Sequence, residues 1–266
     1  MGTIAIAGLG AIGHAVTKGI GQGIGGLRLA AVSVRDPAAS RSRLEDLEQV
    51  PQLVPLQHIG EYADIVVECA GAEVLRRIAP SVLRSGKQLV VLSTGALLTS
   101  PELLALTQEY RSQIHIPSGA IGGLDAVAAM AEGEVRSAKL VTRKPPSALR
   151  GVSWLAERGI DPDLVRQPLL VFSGSAHEAV RHFPANLNIA AALSLAGIGP
   201  RRTMVELWLD PAIRSNCHTV EVDADSGTMR FSIEATPSAN PGTSRLAAQS
   251  VLSLLRRMGG SMIGNA

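Results

Sequence analysis

The spacing of apolar and polar residues divides the chain into two regions. In the first region, short apolar runs alternate with helix-compatible stretches, a pattern typical of a parallel, doubly wound sheet. Residues 64–70 have a continuous apolar centre instead of an apolar/polar alternation, which indicates a strand buried on both faces. We predict strands at residues 3–7, 27–34, 64–70, 87–94 and 113–117. We predict helices at residues 72–84 and 101–110, the second with Ser100 as N-cap and Pro101 at the first helical position.

After Gly119 the pattern changes to that of an α+β region. It predicts a helix at residues 124–131, a strand near residues 138–142 and two alternating strands around a turn at residues 223–227. His218 is in phase with Val220 and Val222, so we expect its side chain to point toward the buried face of the sheet or a cleft bordering it. Residues 244–258 form an amphipathic helix long enough to return and pack on the first region.

Composition excludes several classes of protein. A chain of 266 residues can bury a substantial core, and we expect two modest domains. No apolar stretch reaches about 18 residues and the first residues form a strand, so we expect a cytoplasmic protein without a membrane span. Cys69 and Cys217 lie far apart, which predicts a reducing compartment and no disulfide framework. They also lack metal-ligand spacing, and we expect no metal site. The net charge of +2 comes from scattered arginines and only 3% of residues are aromatic, so we expect no nucleic-acid partner.

The first predicted strand leads into a glycine-rich turn and then into a helix-compatible run. In Gly8-Leu9-Gly10-Ala11-Ile12-Gly13, the first glycine permits a tight turn, the second leaves room for a pyrophosphate and the third lets helix and strand pack closely. Free N–H groups at the start of the helix would face the phosphates. The alternative is an ordinary glycine-rich turn of an α/β protein, but the strand before and the helix after this turn favour a dinucleotide site.

The residues after the second predicted strand bear on the choice between NAD and NADP. Sites that prefer NAD usually place Asp or Glu about 20 residues beyond the glycines, where the carboxylate holds the ribose 2′-OH. Here Val34 occupies that position and Arg35 follows it, which removes repulsion of a 2′-phosphate and supplies a guanidinium to bind it. We therefore expect NADP to be accepted. A small shift in alignment would instead give Asp36 the role of the acid and favour NAD.

A few polar residues are candidates for chemistry. Of the six histidines, His218 is our candidate for proton transfer, because it follows a loop at a strand entrance and imidazole titrates near neutral pH. From the residues alone, a buried histidine satisfied by the backbone is an equal alternative. Asn186 and Asn188 could orient a nicotinamide carboxamide or a substrate carboxylate, or cap a helix. Arg143 and Lys144 end a strand with two cations, which form either an anion site for substrate or a solvated basic turn.

Several motifs together resemble the L-aspartate dehydrogenase family. The central motif, at residues 183–197, reads FPANLNIAAALSLAG. The resemblance also includes the N-terminal glycines, residues 117–122, residues 142–146, the Asn216-x-His218 strand and the helix entrance at residues 240–244. It spans essentially the whole chain and is far more specific than the glycines alone.

The resemblance implies an α/β fold with two domains. An N-terminal Rossmann domain for dinucleotide binding, residues 1–119, would be completed by a C-terminal helix within residues 240–266. An α+β mixed-sheet domain at residues 120–239 would serve catalysis and dimerisation. The implied reaction is oxidation of L-aspartate to iminoaspartate with NAD or NADP, commonly by a homodimer. The product would feed NAD biosynthesis or hydrolyse to oxaloacetate and ammonia.

Carried over residue by residue, the resemblance gives His218 the catalytic position and gives Ala120 and Asn186 cofactor-contacting positions. Polar groups must also grip both substrate carboxylates so that the Cα hydrogen faces the nicotinamide. Our hypotheses for those groups are Asn188, Lys144, Thr243 and Ser244. The remaining predicted cofactor-binding residues are Gly8, Gly10, Ala11, Ile12, Gly13 and Arg35.

Two other functions fit parts of the sequence. A related two-domain reductase, such as a dihydrodipicolinate reductase or a homoserine dehydrogenase, would share the overall plan, but residues 185–197 favour aspartate. A dinucleotide-sensing regulatory protein would retain the glycine turn but would have no need for a histidine aimed into a cleft. The sequence also lacks the helix pair or basic patch with which such a regulator would bind DNA.

Overall fold

The computed structural model describes residues 2–41, 43–45, 47, 50–238 and 244–260. These residues form two compact units. The first contains the described residues of Met1–Pro117 and Ala248–Ala266, and the second contains those of Ser118–Ala247. Within the described ranges, no helix is both long and apolar enough to cross a membrane.

The first unit is built on a parallel sheet, as the alternation of strands and helices predicts. Its strands are β1 (Gly2–Ala7), β2 (Leu27–Ser33), β3 (Gln52–Leu53), β4 (Ile65–Glu68), β5 (Gln88–Val91) and β6 (Gln113–His115). Its helices include α1 (Ala11–Gly21), α2 (Pro37–Arg41), α3 (Ala72–Arg84), α4 (Gly95–Leu98) and α5 (Pro101–Tyr110). The strands pair in the order β3-β2-β1-β4-β5-β6, and all these pairs are parallel. Every residue of β4 is buried, which confirms the prediction made from its continuous apolar centre.

Helices α3 and α5 begin and end at the predicted residues, but the predicted capping of α5 is wrong. Ser100 occupies the N-cap position and Pro101 begins the helix, yet the Ser100 side chain makes no cap hydrogen bond. Instead, the Ser100 hydroxyl accepts a hydrogen bond from Arg76 Nε at 3.1 Å. A charged donor from a neighbouring helix thus takes the place of the helix N–H groups, a tertiary contact that local sequence does not encode.

The second unit is built on a mixed sheet covered by helices on one face. Its helices include α6 (Leu124–Met130), α7 (Ser153–Ala156), α8 (Ala176–His182) and α9 (Asn188–Ala196). Its strands are β7 (Val135–Lys144), β8 (Leu169–Ser175), β9 (Thr203–Leu209), β10 (Asn216–Ala224) and β11 (Gly227–Ala235). The order is β11-β10-β7-β9-β8, in which the β7–β9 pair is parallel and the other pairs are antiparallel. The inner face of this sheet and the apolar faces of α8 and α9 form one core.

The last helix, α10 (Arg245–Gly259), returns to the first unit as its amphipathic pattern predicts. Ala248, Val251 and Leu255 are buried in the same apolar cluster as β1 and α1. Gly19 of α1 permits this packing, because a Cβ atom there would lie 2.4 Å from a methyl group of Leu252. The first unit is therefore a Rossmann-like domain completed by a segment that is distant in sequence.

Candidate functional site

Backbone segments approach each other closely at the glycine turn that joins β1 to α1. Gly8 has a φ of +99°, in the left-handed region that favours glycine. A Cβ atom at Gly13 would lie 2.0 Å from the Gly8 carbonyl oxygen, so any side chain there would displace the turn. A Cβ atom at Gly10 would meet nothing within 4 Å, and Gly10 is exposed. The turn is therefore closed by Gly8 and Gly13 and leaves open space beside Gly10.

The first turn of α1 can bind an anion through its backbone. Since the His14 N–H donates to the Gly10 carbonyl, the N–H groups of Ala11, Ile12 and Gly13 precede the helical hydrogen-bond pattern and have no acceptor within it. This turn also contains no acidic residue that would repel a negative charge. The open space and the N–H groups fit the pyrophosphate of a dinucleotide.

Glu68 ends β4 at the carboxyl edge of the first sheet and is fully buried. Its carboxylate accepts hydrogen bonds from the N–H groups of Ala70 and Gly71 and from both the hydroxyl and the N–H of Ser93, at 2.7–3.0 Å. Burial raises the pKa of Glu68, whereas these hydrogen bonds act to lower it. Glu68 thus ties the loop after β4 to the loop after β5, at the edge where open α/β sheets bind ligands. Sequence analysis missed it, because one carboxylate after an apolar run has no periodic signal.

The residues after β2 adjoin the glycine turn. The Gly8 N–H donates to the carbonyl of Ser33, the last residue of β2, at 2.8 Å. Val34 comes next and packs against the apolar core. Arg35 and Asp36 are both exposed.

A second arginine reaches the glycine turn from further along the chain. The Arg43 guanidinium donates a hydrogen bond to the Leu9 carbonyl at 2.9 Å. Its other N–H groups are donors of the type that binds phosphate. Sequence analysis missed Arg43, because residues 38–57 carry no clear periodic pattern from which a fold contact could be inferred.

In the second unit, His218 and Thr142 face each other across the pairing of β10 with β7. His218 is 4% exposed and Thr142 is 0% exposed, on the sheet face that the helices cover. The two side chains are in contact, with His218 Nδ1 3.3 Å from Thr142 Oγ1. The prediction that His218 points toward the buried face is confirmed.

Lys144 ends β7 on the same face as Thr142 and is 2% exposed. Arg143, between them, points to the opposite face, where its guanidinium pairs with Asp210 at 3.1 Å and lies over the Trp208 ring. The interpretation of both cations as a solvated turn is therefore wrong for Lys144, because the alternation of side chains along a strand separates them. Among the residues that the structure describes, no carboxylate lies within ion-pair distance of Lys144.

Burial sets the protonation states of Lys144 and His218. It lowers the pKa of Lys144 to about 8. It also lowers the pKa of His218 to about 3, and the neighbouring Lys144 ammonium contributes in the same direction. At pH 7 the lysine is therefore charged and the imidazole neutral. The pair can attract an anion through Lys144 and accept a proton at His218.

The segment with Ala120 lies against the start of α9. A Cβ atom at Gly119 would lie 3.3 Å from Cγ2 of Ile189, the second residue of that helix. Ala120 itself is buried. The structure thus brings a predicted cofactor-contacting segment next to the predicted amide at Asn188.

Neither of the two predicted amides occupies the N-cap position of α9. That position belongs to Leu187, and the helix begins at Asn188. Asn186 lies before it and is half-buried. The capping alternative is therefore wrong at this position.

Two buried polar atoms lie toward the Lys144 end of the second sheet. Ser244 forms an antiparallel bridge with Pro237, just beyond the end of β11, and the last residue of β11 pairs with Asn216. In the described part of the chain, the side-chain oxygens of Asn216 and Ser244 are buried without a hydrogen-bond partner. A water molecule, an ion or a polar ligand could satisfy such atoms. Thr243, another predicted substrate-binding residue, lies outside the described residues.

Two family models match the chain. The model described as "Aspartate dehydrogenase, C-terminal" matches residues 125–258. The model described as "Homoserine dehydrogenase, NAD binding domain" matches residues 8–117. The second match includes the glycine turn and supports a nicotinamide dinucleotide as the ligand of the first unit.

Whole-chain comparisons agree with the second-unit match. The chain is 50% identical to L-aspartate dehydrogenase 3 of Bordetella bronchiseptica over 256 residues, which cover 96% of this chain and 94% of that protein. It is 48% identical to the L-aspartate dehydrogenase of Bradyrhizobium diazoefficiens over 254 residues, covering 96% and 90% respectively. The crystal structure of the Thermotoga maritima aspartate dehydrogenase aligns over the full length of both chains, with a TM-score of 0.73 and 25% identity.

Substitution of the last two glycines of the turn, Gly13 and Gly10, should have different outcomes. Gly13→Ala should lower the melting temperature and weaken dinucleotide binding, since its Cβ atom would lie 2.0 Å from a backbone oxygen. Gly10→Ala should leave the melting temperature within a few degrees of the wild type but weaken NAD and NADP binding, because its methyl group fills space meant for the pyrophosphate. Thermal unfolding and calorimetric titration measure both effects. Unchanged dinucleotide affinity in Gly10→Ala would contradict this placement of the phosphates.

Removing the buried charge of Lys144 should stabilise the protein. Because burial lowers its pKa from 10.5 to about 8, the unfolded chain binds more protons between these values, and wild-type stability rises with pH there. Lys144→Met should therefore raise the free energy of unfolding at pH 7 by roughly 2 kcal/mol, an advantage that shrinks as the pH rises from about 8 to 10.5.

Urea unfolding at pH 7 and pH 10 measures this difference. Lys139→Met is the matched control on the same strand, since Lys139 is partly exposed and pairs with Glu206, and its effect should stay within about 1 kcal/mol. A Lys144→Met variant less stable than the wild type at pH 7 would mean that the ammonium is well compensated in the folded state.

Proposed function

The chain belongs to the L-aspartate dehydrogenase family, and from this premise we propose that it oxidises L-aspartate to iminoaspartate with NAD or NADP. The observation that carries the proposal is the buried pair of Lys144 and His218 on one sheet face, with no carboxylate near the lysine among the described residues. A dicarboxylate substrate supplies the missing negative charge, and its ammonium group supplies the proton for the imidazole.

The reaction removes a hydride from Cα and a proton from the substrate nitrogen, so that the C–N single bond becomes a double bond. When bound, the oxidised nicotinamide ring supplies the hydride acceptor. The side chains of this protein bind and orient the substrate and receive the proton. Iminoaspartate then hydrolyses to oxaloacetate and ammonia.

Lys144 anchors one substrate carboxylate in this proposal. Its ammonium is charged at pH 7 and is buried, so water screens its attraction for an anion only weakly. Ser244 and Asn188 are the candidates for further carboxylate contacts, and Thr243 is a candidate from its sequence position alone. Two fixed carboxylates set the direction in which the single Cα–H bond points, and so present its hydrogen for transfer.

His218 receives the substrate proton. The imidazole is neutral at pH 7 because burial and the Lys144 ammonium lower its pKa. A substrate carboxylate beside Lys144 offsets the lysine charge and raises the proton affinity of the imidazole in the complex. The base therefore becomes more effective when the substrate is in place.

A related reductase is the main competing function, because the first unit matches a homoserine dehydrogenase model. That match concerns the dinucleotide-binding residues 8–117, which many dehydrogenases share. Residues 125–258 match the aspartate dehydrogenase model, and they contain His218 and Lys144. The substrate is therefore assigned from the second unit.

We also propose that the enzyme is a cytoplasmic homodimer whose product feeds NAD biosynthesis. The face of the second sheet opposite the helices carries both Lys139–Glu206 and Arg230–Glu221 ion pairs, so a second copy related by a twofold axis would meet charges of both signs. Sedimentation equilibrium should give twice the mass of one chain. A gene deletion without effect on cellular NAD in medium free of NAD precursors would contradict the biosynthetic role.

Incubation with L-aspartate and an oxidised dinucleotide should produce the absorbance of the reduced nicotinamide. His218→Ala should lower kcat by about 100-fold or more, the range that general acid–base catalysis contributes, with dinucleotide affinity nearly unchanged. His58→Ala is the matched control, since His58 is exposed in the first unit and contacts Glu61. Unchanged turnover in His218→Ala would remove His218 from the mechanism.

NADP should serve the enzyme at least as well as NAD, because Val34 provides no carboxylate to repel a 2′-phosphate and Arg35 is exposed to bind it. Arg35→Ala should lower kcat/KM for NADP by about tenfold and leave the value for NAD nearly unchanged. Arg28→Ala, an exposed arginine on β2, is the control. A strong NAD preference in the wild type would overturn the role of Arg35 and favour Asp36 as the ribose ligand.

A further inference from the structure

Strand register pairs His218 directly with one polar residue, Thr142 on β7, and one apolar residue, Ile233 on β11. Across one row of paired residues, β11 contributes Ile233, β10 contributes His218, β7 contributes Thr142 and β9 contributes Leu207. Paired residues project from the same face of a sheet with their Cβ atoms about 5 Å apart. Of these four side chains, only those of His218 and Thr142 are polar, so the Thr142 hydroxyl is the partner that strand register gives to the imidazole.

Burial makes this contact persistent. His218 is 4% exposed and Thr142 is 0% exposed, so water does not readily replace either partner. Thr142 is β-branched and lies within a strand, which restricts its χ1 angle and holds its hydroxyl in place. The 3.3 Å separation of Nδ1 and Oγ1 is at the long end for a hydrogen bond and is compatible with tightening when a substrate binds.

The protonation of the imidazole then depends on which nitrogen carries its single hydrogen. A neutral imidazole has one N–H donor and one acceptor nitrogen, and only the acceptor nitrogen can take a proton from the substrate. A hydroxyl oxygen can accept a hydrogen bond from Nδ1–H both before and after the ring gains its second proton. The Lys144 ammonium, in contrast, has only donors and cannot serve as this acceptor.

We propose that Thr142 is a positioning residue whose hydroxyl oxygen accepts a hydrogen bond from Nδ1–H of His218 and so leaves Nε2 to take the proton from the substrate ammonium. In this step the N–H bond of the ammonium breaks, the Nε2–H bond forms, and the electron pair left on the substrate nitrogen contributes to the C=N bond. The dinucleotide receives the hydride from Cα. This inference rests on the proposed function, because it assigns an orientation to the proposed base.

Two substitutions at position 142 distinguish the effect of the hydroxyl group on kcat from that of the methyl group. Thr142→Val keeps the shape and the β-branch but removes the hydroxyl, and it should lower kcat by about 10-fold to 100-fold, part of the contribution of a correctly presented base. Thr142→Ser keeps the hydroxyl, and its kcat should stay within about threefold of the wild type. The KM for L-aspartate and the affinity for the dinucleotide should change little in either variant, because neither carboxylate nor phosphate contacts this hydroxyl in the proposal.

The ¹⁵N chemical shifts of His218 provide a readout that a packing role would not move. In the wild type they should report hydrogen on Nδ1 at pH 7, and in Thr142→Val they should report a shift toward the Nε2–H form. Hydrogen on Nε2 in the wild type would overturn the inference, whether or not Thr142→Val folds. Wild-type turnover in Thr142→Val, or equal losses in the valine and serine variants, would also overturn it.

The failure of this inference and the failure of the proposed function are distinguishable. If His218→Ala abolishes L-aspartate oxidation while Thr142→Val retains it, the base is correct and its positioning residue is not. If the wild type does not oxidise L-aspartate, the proposed function fails, and the ¹⁵N shifts still report whether Thr142 fixes the ring.

Discussion

The buried positive charge of Lys144, which no carboxylate of the described residues offsets, is the constraint on which the proposed catalytic chemistry depends. A lysine that is 2% exposed and has no carboxylate nearby among the described residues destabilises the folded chain. That same charge makes the site complementary to an anion. Burial, with a smaller contribution from the Lys144 ammonium, lowers the pKa of the neighbouring imidazole and keeps it neutral. A carboxylate side chain of the protein next to Lys144 would offset this charge, but it would also compete with a dicarboxylate substrate for the lysine. The surrounding apolar core supplies the stability that this arrangement removes.

The first unit is organised on a different physical principle. Its proposed anion site consists of backbone N–H groups and empty space, which depend on the close approach of Gly13 to the Gly8 carbonyl. Its buried carboxylate, Glu68, is satisfied by four hydrogen bonds from the two loops at the edge of the sheet. Binding a pyrophosphate common to many dinucleotides requires a rigid turn. Recognition of one substrate requires side chains, and in our proposal these come from the second unit.

Much of the fold was predictable because burial imposes periodicity on sequence. The parallel sheet and helices α3 and α5 follow from the succession of apolar runs and helix-compatible stretches along the chain. The burial of His218 follows from its two-residue phase with Val220. The errors arose where a contact between distant elements replaced a local one. Ser100 accepts a hydrogen bond from Arg76 instead of capping its own helix, and the residue before α9 is Leu187, not an amide that caps it. Thr142 belongs to the motif at residues 142–146, but nothing in the sequence paired it with His218, since a buried threonine in a strand is ordinary.

The sequence by itself determined the glycine turn, the two-region organisation and the residue types available for chemistry, because these depend on neighbours along the chain. It also carried the family resemblance that the comparisons bear out. Only the tertiary structure decided that Lys144 and Arg143 point to opposite faces and that Lys144 is buried. It also decided that Thr142 stands opposite His218, because strand register, not sequence distance, brings positions 76 residues apart into contact. Burial and register are properties of the folded sheet. They bring an ordinary threonine, lysine and histidine together on one buried face, where the three form the candidate site.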